Sequence, residues 1–98
     1  MMCVQIQSKD EDVGMKYASR FRAMMEGQRV EGAIFIGPAL APIARINDVY
    51  RMAIYVKHDD YDKLVELKDA LERYVKDLEQ MGELKGVTTQ FDFDPMHG

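Results

Sequence analysis

The 98-residue chain has one cysteine, three prolines and no run of eighteen consecutive apolar residues. A single cysteine excludes an internal disulfide and a cysteine-rich zinc site. Cys3 sits in an alternating pattern, so its thiol is expected as a small buried hydrophobe, and this cysteine usage suits a reducing, cytoplasmic setting. No apolar stretch is long enough for a transmembrane helix. The opening Met1-Met2-Cys3-Val4-Gln5-Ile6 lacks the basic region and long apolar core of a signal peptide, and its doubled methionine reads as an initiator added ahead of a natural fragment. No Gly-x-x-x-x-Gly-Lys-Ser/Thr phosphate loop is present, so the chain itself is not expected to hydrolyse ATP. Neither histidine pairs with Cys3 at a spacing that supports catalysis. His58 stands beside Asp59 and Asp60, but adjacent residues at a helix start rarely converge on one ion, so a cap cluster is expected there and no metal site.

Hydrophobic residues make up 47% of the chain, enough to build a core, and residues 1–98 read as one domain. The net charge of −4 is polarised. Residues 14–57 carry Lys16, Arg20, Arg22, Arg29, Arg45, Arg51 and Lys57 against Glu26, Glu31 and Asp48. Residues 58–98 are strongly acidic. Such segregation points to an oriented surface more than the total charge does.

Val4 and Ile6 alternate with Gln5 and Gln7 as a half-buried strand. Ser8-Lys9-Asp10-Glu11 reads as a capping box for a following helix, whose apolar stripe is Val13, Tyr17, Phe21, Met24 and Met25 and whose stop is Gly27. Ala33-Ile34-Phe35-Ile36 is a short apolar strand. Gly37–Val49 reads as a stiff connection, because two prolines and a glycine in six residues break regular structure. Tyr50, Met52, Ile54 and Val56 alternate with Arg51, Ala53, Tyr55 and Lys57 in the clearest strand of the chain. A long amphipathic helix opened by Asp59, Asp60 and Asp62 follows, with Leu64, Leu67, Leu71, Tyr74, Leu78 and Met81 as its stripe and Gly82 and Gly86 at its end. Val87–Asp94 alternates as a last strand, stopped by Pro95. The order strand, helix, strand, strand, helix, strand predicts an α+β fold: a ferredoxin-like βαββαβ plait, with a four-stranded antiparallel sheet and both helices on one face.

The other face then carries Arg51, Tyr55 and Lys57 beside Gln5, Gln7, Thr88 and Gln90. Cations around an aromatic on an open sheet suit a phosphate backbone with a stacked base. One tyrosine is a small stacking platform, and the same residues also describe an ordinary polar face or one packed on another domain. In the connection, Ala39, Leu40, Ala41 and Ile43 are too apolar for an idle loop and either fold back onto the core or meet a neighbouring domain; in the second case Gly37, Pro38, Leu40, Pro42 and Ile43 form a docking loop, and Arg45 follows as a contact for phosphate or carboxylate.

Gly37-Pro38-Ala39-Leu40-Ala41-Pro42-Ile43-Ala44 and the closing Phe91-Asp92-Phe93-Asp94-Pro95 carry a resemblance. Together they resemble the C-terminal domain of the primosomal replication-restart helicase family (PriA, primosomal protein N-prime), over about Cys3 to Pro95. The resemblance implies the plait, a likeness to a small-subunit ribosomal protein, and a part in binding branched or single-stranded DNA. It implies a parent that is an ATP-dependent 3′-to-5′ DNA helicase using ATP, magnesium and zinc, recognising stalled forks and reloading the replicative helicase. The fragment would then carry no enzyme activity or cofactor of its own. Its partners would be forked or single-stranded DNA, the helicase core and primosome proteins in the bacterial cytoplasm. Leu40 replaces the family's middle proline. Asn47-Asp48-Val49-Tyr50-Arg51 stands where the family commonly has Arg-Gly-Arg-Tyr-Arg, which removes positive charge and favours docking by this stretch. Two other readings of a plait are an ACT-like regulatory domain that binds a small molecule, and a purely structural interaction domain.

Overall fold

The computed structural model describes residues 1–46 and 48–93, with residues 41–46 followed by their backbone alone. The elements are β1 (Met2–Ser8), α1 (Glu11–Gly27), β2 (Ile34–Ile46), β3 (Val49–Lys57), α2 (Tyr61–Gln80) and β4 (Val87–Phe93). The strands form one antiparallel sheet in the order β2-β3-β1-β4. This is the expected plait. Met2, Val4 and Ile6 of β1 and Met52, Ile54 and Val56 of β3 are fully buried against Phe21 and Met25 of α1 and Leu64, Leu67 and Leu71 of α2. Period-two alternation on the central strands and a 3.6-residue stripe on each helix thus meet in one layer.

The second strand corrects the expectation of a connection over Gly37–Val49. β2 continues to Ile46, with irregularities between Ile36 and Ala39 and between Leu40 and Arg45. The reason is position. β2 is an edge strand, where a proline forfeits no ladder bond on its outer side, and the bulges absorb the misfit. Gly37 turns at φ +96, and a Cβ there would lie 2.7 Å from the Ala53 carbonyl oxygen, so only glycine fits. The Gly37–Pro38 peptide is cis. Arg22 Nη1 donates to the Gly37 carbonyl, which ties the bend to α1.

The helix ends also depart from expectation. The N-cap of α1 is Asp10, whose Oδ1 accepts the Val13 N–H at 3.1 Å. Ser8 is still in β1, buried, and its hydroxyl accepts the Asp10 N–H. Gly27 lies inside α1, and Arg29 takes the left-handed position after it at φ 53. On α2 the stripe runs through Val75. Tyr74 is displaced to the side, where its ring meets Phe21 edge-on, and Met81 caps the helix, 70% exposed. Gly82 takes φ +76, with the N–H groups of Gly82 and Glu83 donating to the Glu79 and Leu78 carbonyls, a Schellman ending. His58 is the expected cap cluster with an added tie. Its Nδ1 accepts the Asp60 N–H at 2.8 Å, so Nε2 holds the proton and donates to the Glu31 carbonyl at 2.8 Å.

Two glycines of α1 differ in what surrounds them. A Cβ on Gly14 would run into Met52 Cε and approach Ser8 Cβ to 3.0 Å, whereas Gly27 has nothing within 4 Å. Urea denaturation should show Gly14→Val losing about 1–3 kcal/mol through overpacking. Gly27→Ala should gain about 0.5–1 kcal/mol from helix entropy. Equal effects of the two substitutions would contradict this packing.

Candidate nucleic-acid interface

The face of the sheet opposite the helices is built by the pairing register. Gln7 stands between Thr88 and Arg51, Gln5 between Gln90 and Ala53, and Cys3 between Asp92 and Tyr55. On the far side of β3, Tyr55 pairs with Ile36 and Lys57 with Ile34. Partners directly opposite share a face, so these residues form one surface. Its β1–β4 half is amide and hydroxyl, with the exposed Asp92 carboxylate at the far end beside Cys3. A shallow depression of about 280 Å³ there is lined by Gln5, Gln7, Thr88, Thr89 and Gln90. Its β2–β3 half is cationic and apolar, with Lys57 exposed, Tyr55 half-buried, and Ile34 and Ile36 at 57% and 46% exposure.

The structure brings Arg51, Tyr55 and Lys57 together on that face. The backbone of Arg45 pairs with that of Tyr50. The side chains of Pro42, Ile43 and Arg45 lie outside the described residues. Leu40 is 43% exposed opposite Met52, and Pro38 is half-buried beside Gly37.

Gln5 stands on the face where the sequence placed it, but its bond to Arg51, and that of Arg22 on α1 to the Gly37 carbonyl, were not foreseen. Gln5 Oε1 accepts from Arg51 Nη2 at 2.9 Å, and Arg22 holds the Gly37 carbonyl. Each partner is distant in sequence, and neither residue belongs to a motif. Cys3, on the open face, is 2% exposed beneath its neighbours. Burial pushes its thiol pKa up, and the Asp92 charge pushes the same way. The Tyr55 hydrogen bond and the Arg51 charge oppose them. Among the described residues no cluster of three or more His, Cys, Asp or Glu side chains is placed to hold a metal ion. Among them no helix is long and apolar enough to cross a membrane.

The family model for the primosomal protein N C-terminal domain matches residues 1–96. The chain belongs to that family. No curated protein sequence matches it. Among solved structures, a de novo designed protein, Foldit4, matches with a TM-score of 0.63 at 14% identity, covering 95% of this chain and 94% of that one. Such identity conveys fold alone, so the designed protein says nothing of what this primosomal domain binds.

The raised thiol pKa has a reactivity consequence. Labelling of Cys3 by a neutral thiol reagent should stay slow at pH 7–8 in the folded domain and become fast in urea. Because the folded state holds the thiol proton more tightly than the unfolded chain, this group's contribution to stability is present below the ordinary thiol pKa of 9.0 and declines as pH rises beyond it. Rapid labelling of the folded domain at pH 7 would contradict the burial of Cys3.

Proposed function

We propose that the chain is the C-terminal DNA-binding and domain-docking module of a replication-restart helicase, and that DNA lies on the open face of its sheet. The observation that carries this reading is the placement of Arg51, Tyr55 and Lys57, with Ala53 between the first two, along one side of β3, on the face the helices leave uncovered. Two cations flanking an aromatic offer phosphate contacts and a surface for one base. Membership of the primosomal family makes DNA the fitting ligand.

Docking belongs to β2. The Gly37–Ile43 stretch presents Leu40 at the sheet edge, while Pro38 and Pro42 withhold N–H groups that another strand would need. Contact with the helicase core or other primosome proteins is therefore made by side chains rather than by strand addition. The fragment supplies no catalysis. ATP, magnesium and zinc belong to the parent helicase, which works in the bacterial cytoplasm.

Fluorescence anisotropy with labelled single-stranded, duplex and forked DNA at two salt concentrations tests the reading. Binding should fall steeply with salt. The Arg51→Ala, Lys57→Ala double variant should bind more weakly at every salt concentration. It should lower the slope of log affinity against log salt by about 1.4–1.8, the loss of two phosphate contacts. Affinity and slope equal to wild type would remove the open face from DNA binding.

A further inference from the structure

Arg51 reaches diagonally across the sheet. Its partner in register is Gln7, yet its guanidinium goes to Gln5, two residues along β1. Ala53, opposite Gln5, has no side chain beyond Cβ to obstruct that path. Nη2 donates to Gln5 Oε1 at 2.9 Å, while the Nε–H is shut off from solvent and has no acceptor among the described residues. Nε and Nη2 project from the same edge of the guanidinium. That edge is a fork matched to two oxygens of one phosphate or carboxylate. Here a neutral amide takes one tine, and the other makes no hydrogen bond. A buried charged donor without an acceptor is uncommon and unfavourable.

We propose that Gln5 is a latch on an oxyanion-binding fork. In the free protein its amide holds Arg51 down on the sheet. A DNA phosphodiester then displaces the amide, and its two non-bridging oxygens satisfy Nε and Nη2 together. The inference rests on the open face being the DNA surface. The spacing of cations favours a phosphodiester over a single carboxylate. Arg51 and Lys57 lie six residues apart on one strand, about 20 Å, a span that a nucleic acid backbone fills with repeated anions.

A latch must be released, so it weakens binding. Anisotropy with single-stranded DNA at low salt should show Gln5→Ala binding about three- to tenfold tighter than wild type. Gln5→Glu, whose carboxylate can take both tines, should bind more weakly. On an Arg51→Ala background the Gln5→Ala gain should vanish, and the Gln5→Glu loss should shrink to that of the added charge. A Gln5→Ala protein that binds no tighter than wild type, or a gain that persists without Arg51, would overturn the proposal. Nuclear magnetic resonance gives a readout independent of DNA. Water exchange of the Arg51 Nε–H should be slow in wild type and faster in Gln5→Ala. Equal exchange overturns the latch whatever DNA does. Wild type that fails to bind DNA, with exchange still responding to Gln5, would defeat the reading of the face and the phosphodiester with it. A Gln5→Ala gain seen with polyglutamate and not with DNA would assign the fork to a carboxylate partner and overturn the phosphodiester.

Discussion

Met52, Ile54 and Val56 are buried on one side of β3, and that burial dictates what the other side exposes. Side chains alternate along a strand with a period of two, so once the apolar set is fixed under the helices, Arg51, Tyr55 and Lys57 must stand on the open face. A slip of one residue would exchange the two sets and put two cations into the core. Unbroken pairing with β1 holds the register of β3, while its ladder with β2 is interrupted by two irregularities. The surface assigned to DNA is therefore a by-product of core packing.

The edge strand adds a second constraint. β2 carries the exposed Ile34 and Ile36 toward the open face and then bends at Gly37, where Arg22 of α1 takes the carbonyl. An apolar strand at the edge of a sheet invites pairing with another chain. Pro38 and Pro42 interrupt its row of donors, so the edge presents side chains for contact while resisting extension of the sheet. The residues that carry the family resemblance thus have a physical task in this strand, apart from whatever they touch in a larger protein.

Features with a strong local period were legible in the sequence. β3 and the Leu64, Leu67, Leu71, Leu78 stripe read correctly, because alternation and three-four spacing report burial directly. From them the plait followed, and with it the grouping of Arg51, Tyr55 and Lys57. Features set by tertiary position were not legible. Gly37, Pro38 and Pro42 are breakers in a central strand but admissible at an edge, and edge position appears only when the sheet is assembled. Ser8 and Asp10 are both good caps, and the choice fell to Asp10 because Ser8 remains paired in β1. Arg29 took the left-handed position expected of Gly27, a non-glycine in a conformation glycine favours. Alternation put Gln5 on the open face, but the partners of Gln5 and Arg22 gave no signal, since they lie 46 and 15 residues away.

The central claim is that DNA is held on the open sheet face, and the most direct measurement is a map of amide and side-chain chemical shifts as the domain is titrated with a short single strand. The account predicts perturbations concentrated at Arg51, Tyr55, Lys57, Ile34 and Ile36, with the solvent faces of α1 and α2 unmoved. Perturbations confined to the helical layer, or none at low salt, would contradict it.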